Sequence, residues 1–191
     1  MEKVDQIIRN RRSVYTSMFS GKEVDDSVID SMLENANWAP THKLTEPWRF
    51  TIFKGNGLKK LAKFQANLYK QRADNNGNFN ETTFQKLLAK PLECSHIIAI
   101  GMKRHEVVHE VEEVCAVSAA VQNMWLTASE RGIGCYWSTG GITFYEEAKP
   151  FFNLGSDDKL LGFLFIGIPK SENRPWGKRN PIEGKVKWVK S

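Results

Sequence analysis

Apolar residues recur along this chain with two periods, near 3.6 and near 2, and the switches between them divide it into helices and strands. Val4, Ile7 and Ile8 share one face of a short helix predicted over Lys3 to Asn10. Val28, Ile29, Met32, Leu33 and Ala36 keep helical spacing in a second helix, which Asp26 or Ser27 can cap and which must stop before Pro40. Trp48 to Lys54 is aromatic and β-branched and reads as a strand, closed by a turn at Gly55-Asn56-Gly57. A third helix runs through Leu58, Leu61, Ala62, Phe64, Leu68 and Tyr69, and residues 74–82 have the composition of a surface loop, with a lid over a site as the alternative.

Ile97 to Met102 reads as a buried strand. Between Val114 and Arg131, one helical face carries Val114, Val117, Val121, Met124, Trp125 and Ala128, and Gly132 stops the helix. Ala116, Ser118, Ala119 and Ala120 lie among them and permit close approach of another helix, either in the core or at a dimer interface. Strands at Cys135 to Ser138 and Leu161 to Ile168 flank a short helix near Tyr145 to Phe152, and Val186 to Val189 is a last extended segment. After Pro169 the chain has Pro175, Gly177, Pro181 and Gly184 and no periodicity, as in an extended arm. Strands alternating with helices of unequal length predict a single layered α+β or α/β domain over residues 1–191, with the arm at about 170–191.

A content of 41% hydrophobic and 26% charged residues fits one globular domain. No apolar run approaches the length of a membrane span, and Met1-Glu2-Lys3-Val4-Asp5 is too polar for an export signal, so a cytoplasmic protein without a membrane partner is expected. Cys94, Cys115 and Cys135 form neither a disulfide framework nor a CxxC pair and are expected to be buried small hydrophobes. The net charge of +5 is spread among 22 acidic residues, which argues against a nucleic-acid partner but favours anionic ligands.

His105-Glu106-Val107-Val108-His109 matches HExxH, in which two histidines one helical turn apart bind zinc beside a glutamate base. Glu130 is a candidate third ligand, but it ends a helix whose apolar face is already committed, and Glu110, Glu112 and Glu113 give the segment the character of an exposed connection. A zinc hydrolase is therefore the weaker alternative. Gly55-Asn56-Gly57 lacks the third glycine of a dinucleotide loop. Arg11-Arg12-Ser13, at a helix end, sets two guanidinium groups and a hydroxyl together; taken alone this fits a surface basic cluster better than a phosphate site, though arginine's planar fork suits a phosphate.

The segment Asn37-Trp38-Ala39-Pro40-Thr41-His42-Lys43-Leu44-Thr45-Glu46-Pro47-Trp48-Arg49-Phe50 resembles the flavin-contacting segment of the nitroreductase family. Arg11-Arg12-Ser13 matches that family's Arg-x-Ser, and Gly132-Ile133-Gly134-Cys135-Tyr136-Trp137-Ser138-Thr139-Gly140-Gly141 is similar to its strand and turn along the isoalloxazine ring. Leu161 to Pro169 resembles the late core strand, followed by Lys178-Arg179-Asn180-Pro181. Two departures stand out: Glu46 where many members have glutamine, and Tyr15 where many have a lysine near flavin N1 and O2.

The resemblance implies a three-layer α+β sandwich around a mixed, mostly antiparallel sheet, in a homodimer that exchanges C-terminal arms. It implies FMN held at the phosphate by Arg11, Arg12, Ser13, Lys178 and Arg179, along the ring by Trp137, Ser138 and Thr139, and from the other subunit by Trp38, Thr41 and His42. NADH or NADPH would then reduce the flavin, and a nitroaromatic, quinone or similar acceptor would reoxidise it in ping-pong fashion, with no dedicated catalytic side chain. A flavin-binding storage or sensor protein without turnover is the alternative within the same resemblance.

Overall fold

The structure is a computed structural model and describes residues 3–171 and 177–190. In chain order its principal elements are α1 (Lys3–Asn10), α2 (Asp26–Asn37), β1 (Trp48–Lys54), α3 (Asn56–Asn75), α4 (Glu81–Ala89), β2 (His96–Met102), α5 (Glu110–Glu130), β3 (Gly134–Ser138) and β4 (Lys159–Gly167). The strands form one sheet in the order β1-β2-β4-β3 with every neighbouring pair antiparallel; the parallel contribution is a single bridge between Ser13 and Cys135.

β2 is buried along its whole length because both faces of the sheet are covered. Its side chains alternate between two cores. Ile98, Ile100 and Met102 join Leu164 and Ile166 of β4 beneath α2 and α5, which contribute Ile29, Met32, Ala36, Val117, Val121 and Met124. Ile97 and Ala99 join Phe163 and Phe165 on the opposite face, closed by Leu58 and Leu61 of α3 and by Ile142 and Phe152. Helices on both faces make the three-layer α+β sandwich expected from the resemblance.

Several boundaries differ from the sequence reading. α2 is capped by Asp25, whose carboxylate accepts hydrogen bonds from the Ser27 amide at 2.8 Å and the Ser27 hydroxyl, so neither Asp26 nor Ser27 is the cap. The expected loop at 74–82 is shorter: α3 continues to Asn75, and Asn80 caps α4 by accepting from the Thr83 amide at 2.9 Å. α5 starts at Glu110 instead of Val114, because Glu112 folds back to accept from the His109 amide at 3.1 Å and closes a capping box. The short helix near Tyr145 to Phe152 is a pair of 3-10 turns, at Gly141–Phe144 and Glu146–Phe152. Val186 to Val189 is exposed and pairs with no strand among the described residues; Pro175 lies outside them. Cys94 and Cys135 are buried as expected, but Cys115 is exposed on the outward side of α5.

The HExxH pentapeptide is not helical. Its residues form a turn leading into α5, so the two histidines are not stacked one turn apart as zinc ligation requires. His105 instead donates its amide to Glu113 at 2.9 Å and sets its imidazole Nδ1 2.9 Å from the same oxygen, while Arg104 donates to the other oxygen at 2.6 Å. Asp158 holds the same connection by accepting from the amides of Arg104 at 2.9 Å and Gly155 at 2.8 Å. Burial opposes ionisation of Asp158, yet these bonds, with Lys103 nearby, outweigh it and hold the carboxyl below the usual aspartate range.

Gly162 on β4 has φ +118°, and a Cβ there would lie 2.4 Å from the Ser138 carbonyl oxygen and 2.9 Å from Trp137 Nε1. Any side chain would therefore push β3 off β4. Gly162→Ala is predicted to destabilise the protein by roughly 2–4 kcal/mol in urea denaturation. Gly21→Ala, with φ +79° and no neighbour within 4 Å, should cost only about 1 kcal/mol. For Asp158 the folded-state pKa is depressed, so its stabilisation is present above the unfolded value, about 3.9, and disappears as pH falls through the folded value. Asp158→Asn should lower stability at pH 7 and flatten the acid limb of a stability-against-pH curve; an unchanged acid limb would contradict this.

Candidate functional site

α1 ends in a turn whose last bond runs from the Arg11 amide to the Ile7 carbonyl at 2.9 Å. The chain then straightens along β3: the Val14 amide donates to the Cys135 carbonyl at 2.9 Å, beside the Ser13–Cys135 bridge. That docking sets Arg11 against α5, its guanidinium carbon 4.4 Å from the centroid of the Trp125 ring. From the other end of the chain, Gly177, Arg179 and Ile182 return to the same place.

Together these segments enclose a cleft of about 600 Å³ lined by Ile8, Arg9, Arg11, Arg12, Gln122, Gly177, Arg179 and Ile182, with no acidic residue among the described residues. The basic residues that look scattered in sequence are in part collected here. Burial, then the facing charges of Arg179 and Arg12, hold the Arg11 guanidinium below its ordinary pKa. Arg12 folds back to donate to the carbonyls of Arg9 at 2.5 Å and Arg11 at 2.8 Å, and its guanidinium lies where a Cβ on Gly177 would have to stand. Arg11, Arg12 and Arg179 are thus brought together as the sequence suggested, and Arg9 joins them. Lys178 is adjacent but contributes no lining; its carbonyl accepts from Arg179 at 2.9 Å.

β3 is an edge strand. The Cys135 carbonyl faces outward to Val14, and by the two-residue period the Trp137 N–H and C=O face the same open edge. The Trp137 indole points elsewhere: its N–H donates to the Leu161 carbonyl at 3.0 Å, and its ring packs on the core beneath α2 and α5. Ser138 and Thr139 follow at the open end, the Ser138 hydroxyl accepting from the Gly140 amide at 3.4 Å.

Beside this edge lies a row of aromatic rings that the sequence reading did not find. Tyr15 sits 4.8 Å from Tyr136, Tyr136 sits 6.2 Å from Phe165, and the Lys90 ammonium lies 5.2 Å above Tyr136 and 4.8 Å above Phe165. Lys90 is half-buried and has no carboxylate within ion-pair range among the described residues. Its sequence signal is slight: a lysine next to Pro91, shortly before the apolar run of β2.

Trp38, Thr41 and His42 are elsewhere. Trp38 is 79% exposed and donates its indole N–H to Glu34 at 2.9 Å. Thr41 and His42 line a separate cleft of about 410 Å³ with Pro40, Val111, Glu112, Cys115 and Ala116. The His42 imidazole there is 3.7 Å from Glu112. The same loop carries Lys43, Leu44 and Glu46 at positive φ, 50°, 53° and 43°. That strain is held by Thr41, whose hydroxyl meets Thr45 at 3.1 Å and accepts from the Glu46 amide at 3.2 Å, and by Lys43 donating to the Val107 carbonyl at 2.9 Å. Within one chain, then, these three residues do not meet the arginines.

Comparison with known proteins places the chain in a family. The sequence profile described as the nitroreductase family matches residues 8–168. The Bacillus subtilis protein YfhC, which carries a provisional NAD(P)H nitroreductase name, is 29% identical over 177 residues, 92% of this chain and 89% of that protein. The crystal structure of a nitroreductase-like family protein from Bacillus cereus superposes with a TM-score of 0.83 at 29% identity, over 100% of this chain and 98% of that one. A nitroreductase with bound FMN from Bacteroides fragilis shares the fold over 100% of both chains, with a TM-score of 0.73 at 17% identity. With a family match over most of its length and the same three-layer fold, this chain belongs to the nitroreductase family.

Proposed function

We propose that the chain is an FMN-dependent NAD(P)H oxidoreductase that works as a homodimer. The observation that carries this reading is the convergence of Arg11, Arg12 and Arg179 from both ends of the chain on one cleft that no acidic side chain lines among the described residues. Guanidinium groups so close together repel one another unless an anion joins them, and a phosphate monoester has the charge and the acceptors to do so. The cleft is also of a size ordinary for small-ligand sites. The residues present therefore fit the FMN phosphate, with Ser13 and Lys178 at its margin.

Along the ring, the outward N–H and C=O of Trp137 and the hydroxyls of Ser138 and Thr139 offer hydrogen bonds to a heterocycle. Lys90 supplies the cation that many family members carry at the position of Tyr15. Its half-buried ammonium favours extra negative charge beside it, as on a reduced flavin. The loop with Trp38, Thr41 and His42 serves the neighbouring subunit's ring, which accounts for its strain and for its distance from the arginines in its own chain. α5 presents Val111, Cys115 and Gln122 outward, and the arm exposes Ile182, Trp188 and Val189, all surfaces suited to burial by a second copy.

FMN held by these residues would supply the hydride-accepting centre between NADH or NADPH and a nitroaromatic, quinone or similar acceptor, in a ping-pong cycle. The chain's own task is to anchor, orient and leave one ring face open, which requires no acid or base side chain.

Purified protein is expected to be dimeric and yellow, absorbing at about 450 nm as FMN does, and to bleach with NADH or NADPH. A colourless monomer unable to take up FMN would overturn the reading. Arg11→Ala and Arg179→Ala should each weaken FMN binding roughly 10- to 100-fold, the usual worth of a charge-assisted hydrogen bond, in a titration of apoprotein. Lys90→Gln should leave FMN bound but lower its midpoint potential by roughly 30 mV, equivalent to about 1.4 kcal/mol for a two-electron couple.

A further inference from the structure

The loop of Thr41 and His42 is strained at Lys43, Leu44 and Glu46, yet no residue from Thr41 to Glu46 is buried, so the core does not enforce that shape directly. Two contacts tie the loop instead to the segment around the start of α5. Lys43 donates to the Val107 carbonyl at 2.9 Å, and His42 Nδ1 lies 3.7 Å from Glu112 Oε1. That segment is fixed from within: Val108 is buried, and Arg104 and His105 both bond the buried carboxylate of Glu113. The turn formed by the HExxH residues is thus the brace of the strained loop.

Glu112 does two things with one carboxylate. Oε2 accepts from the His109 amide at 3.1 Å and completes the cap of α5, which holds the side chain in one arrangement and presents Oε1 to His42. The cap needs a single oxygen, and glutamine serves it as well as glutamate. A full negative charge matters only to the second contact. At 3.7 Å that oxygen is beyond hydrogen-bond reach, but it is near enough to favour the imidazole form with its proton on Nδ1. In that form Nε2 carries the lone pair and acts as an acceptor. Nothing among the described residues donates to it. The two side chains are 52% and 37% exposed in the single chain, where such a pair is worth little; the second copy proposed above would remove the water that screens it.

We infer that Glu112 is a positioning residue for the cofactor: it holds His42 as the Nδ1–H tautomer, so that Nε2 accepts a hydrogen bond from FMN bound in the neighbouring subunit. The inference rests on the flavin reading above, which gives His42 to that subunit's ring. FMN has donors to offer, the single ring N–H of its oxidised form and the ribityl hydroxyls. The opposite tautomer would turn an N–H toward those donors and leave a lone pair facing a carboxylate, two repulsions in place of two attractions.

The test uses FMN-loaded protein carrying isotope-labelled histidine, at a pH that keeps imidazole neutral. Nitrogen NMR then reads which ring nitrogen holds the proton in each of the four histidines, with His42 identified by its loss in His42→Ala. The expected result is an Nδ1–H ring in the wild type and an Nε2–H ring in Glu112→Gln, a variant that keeps the helix cap. Glu112→Gln should also weaken FMN binding roughly threefold to tenfold, and should add nothing to the loss in a His42→Ala background. An unchanged tautomer, an unchanged FMN affinity in Glu112→Gln, or a loss of affinity that persists undiminished without His42 would each overturn the inference and leave the flavin reading intact. Wild-type protein that takes up no FMN, or a His42→Ala protein that binds it as tightly as the wild type, would remove the contact on which the inference rests and the inference with it.

Discussion

Like charges held in one cleft are unstable company, and that repulsion is the interaction on which the rest of the site depends. It is tolerated because the surrounding fold is anchored elsewhere. The Val14–Cys135 hydrogen bond ties the N-terminal segment to β3, and the ring of Trp125 accepts the face of Arg11. Those two contacts fix the Arg11 guanidinium before any ligand arrives, so little reorganisation of it is left for binding. An anion then relieves a penalty already present in the folded chain, which is a physical route to tight cofactor retention.

Much of the fold was legible in the sequence, and the reasons are local. β1 runs from Trp48 to Lys54 as read because aromatic and β-branched residues end at a glycine turn, and α1 likewise keeps its predicted span. Where tertiary packing decided, the reading failed. α4 has no fully buried residue and only a weak apolar stripe, so nothing in its pattern separated it from the loop before it. The start of α5 depended on a side chain folding back on a histidine amide, and Cys115 faces outward because the helix buries its opposite side.

The site divides in the same manner. Arg11, Arg12 and Arg179 were legible because two arginines beside a serine, and a basic pair after a core strand, are compact signals whose meeting only a fold can supply. Lys90 was not legible: its significance lies in two rings, Tyr136 and Phe165, that are distant in sequence and adjacent in the sheet. HExxH shows the reverse failure, since a specific-looking pentapeptide becomes a turn once Glu113 captures His105. A motif carries its chemistry only when the backbone gives it the geometry that the chemistry needs.

The open side of β3 has a second meaning. A strand with unpaired N–H and C=O groups invites a foreign strand as readily as it offers hydrogen bonds to a heterocycle. Here the stretch is brief, bounded by the Ser13 bridge at one end and the turn at Gly140 and Gly141 at the other. If FMN lies against that edge as proposed, it would also shield it, and the apoprotein would then be the form more exposed to strand-to-strand association.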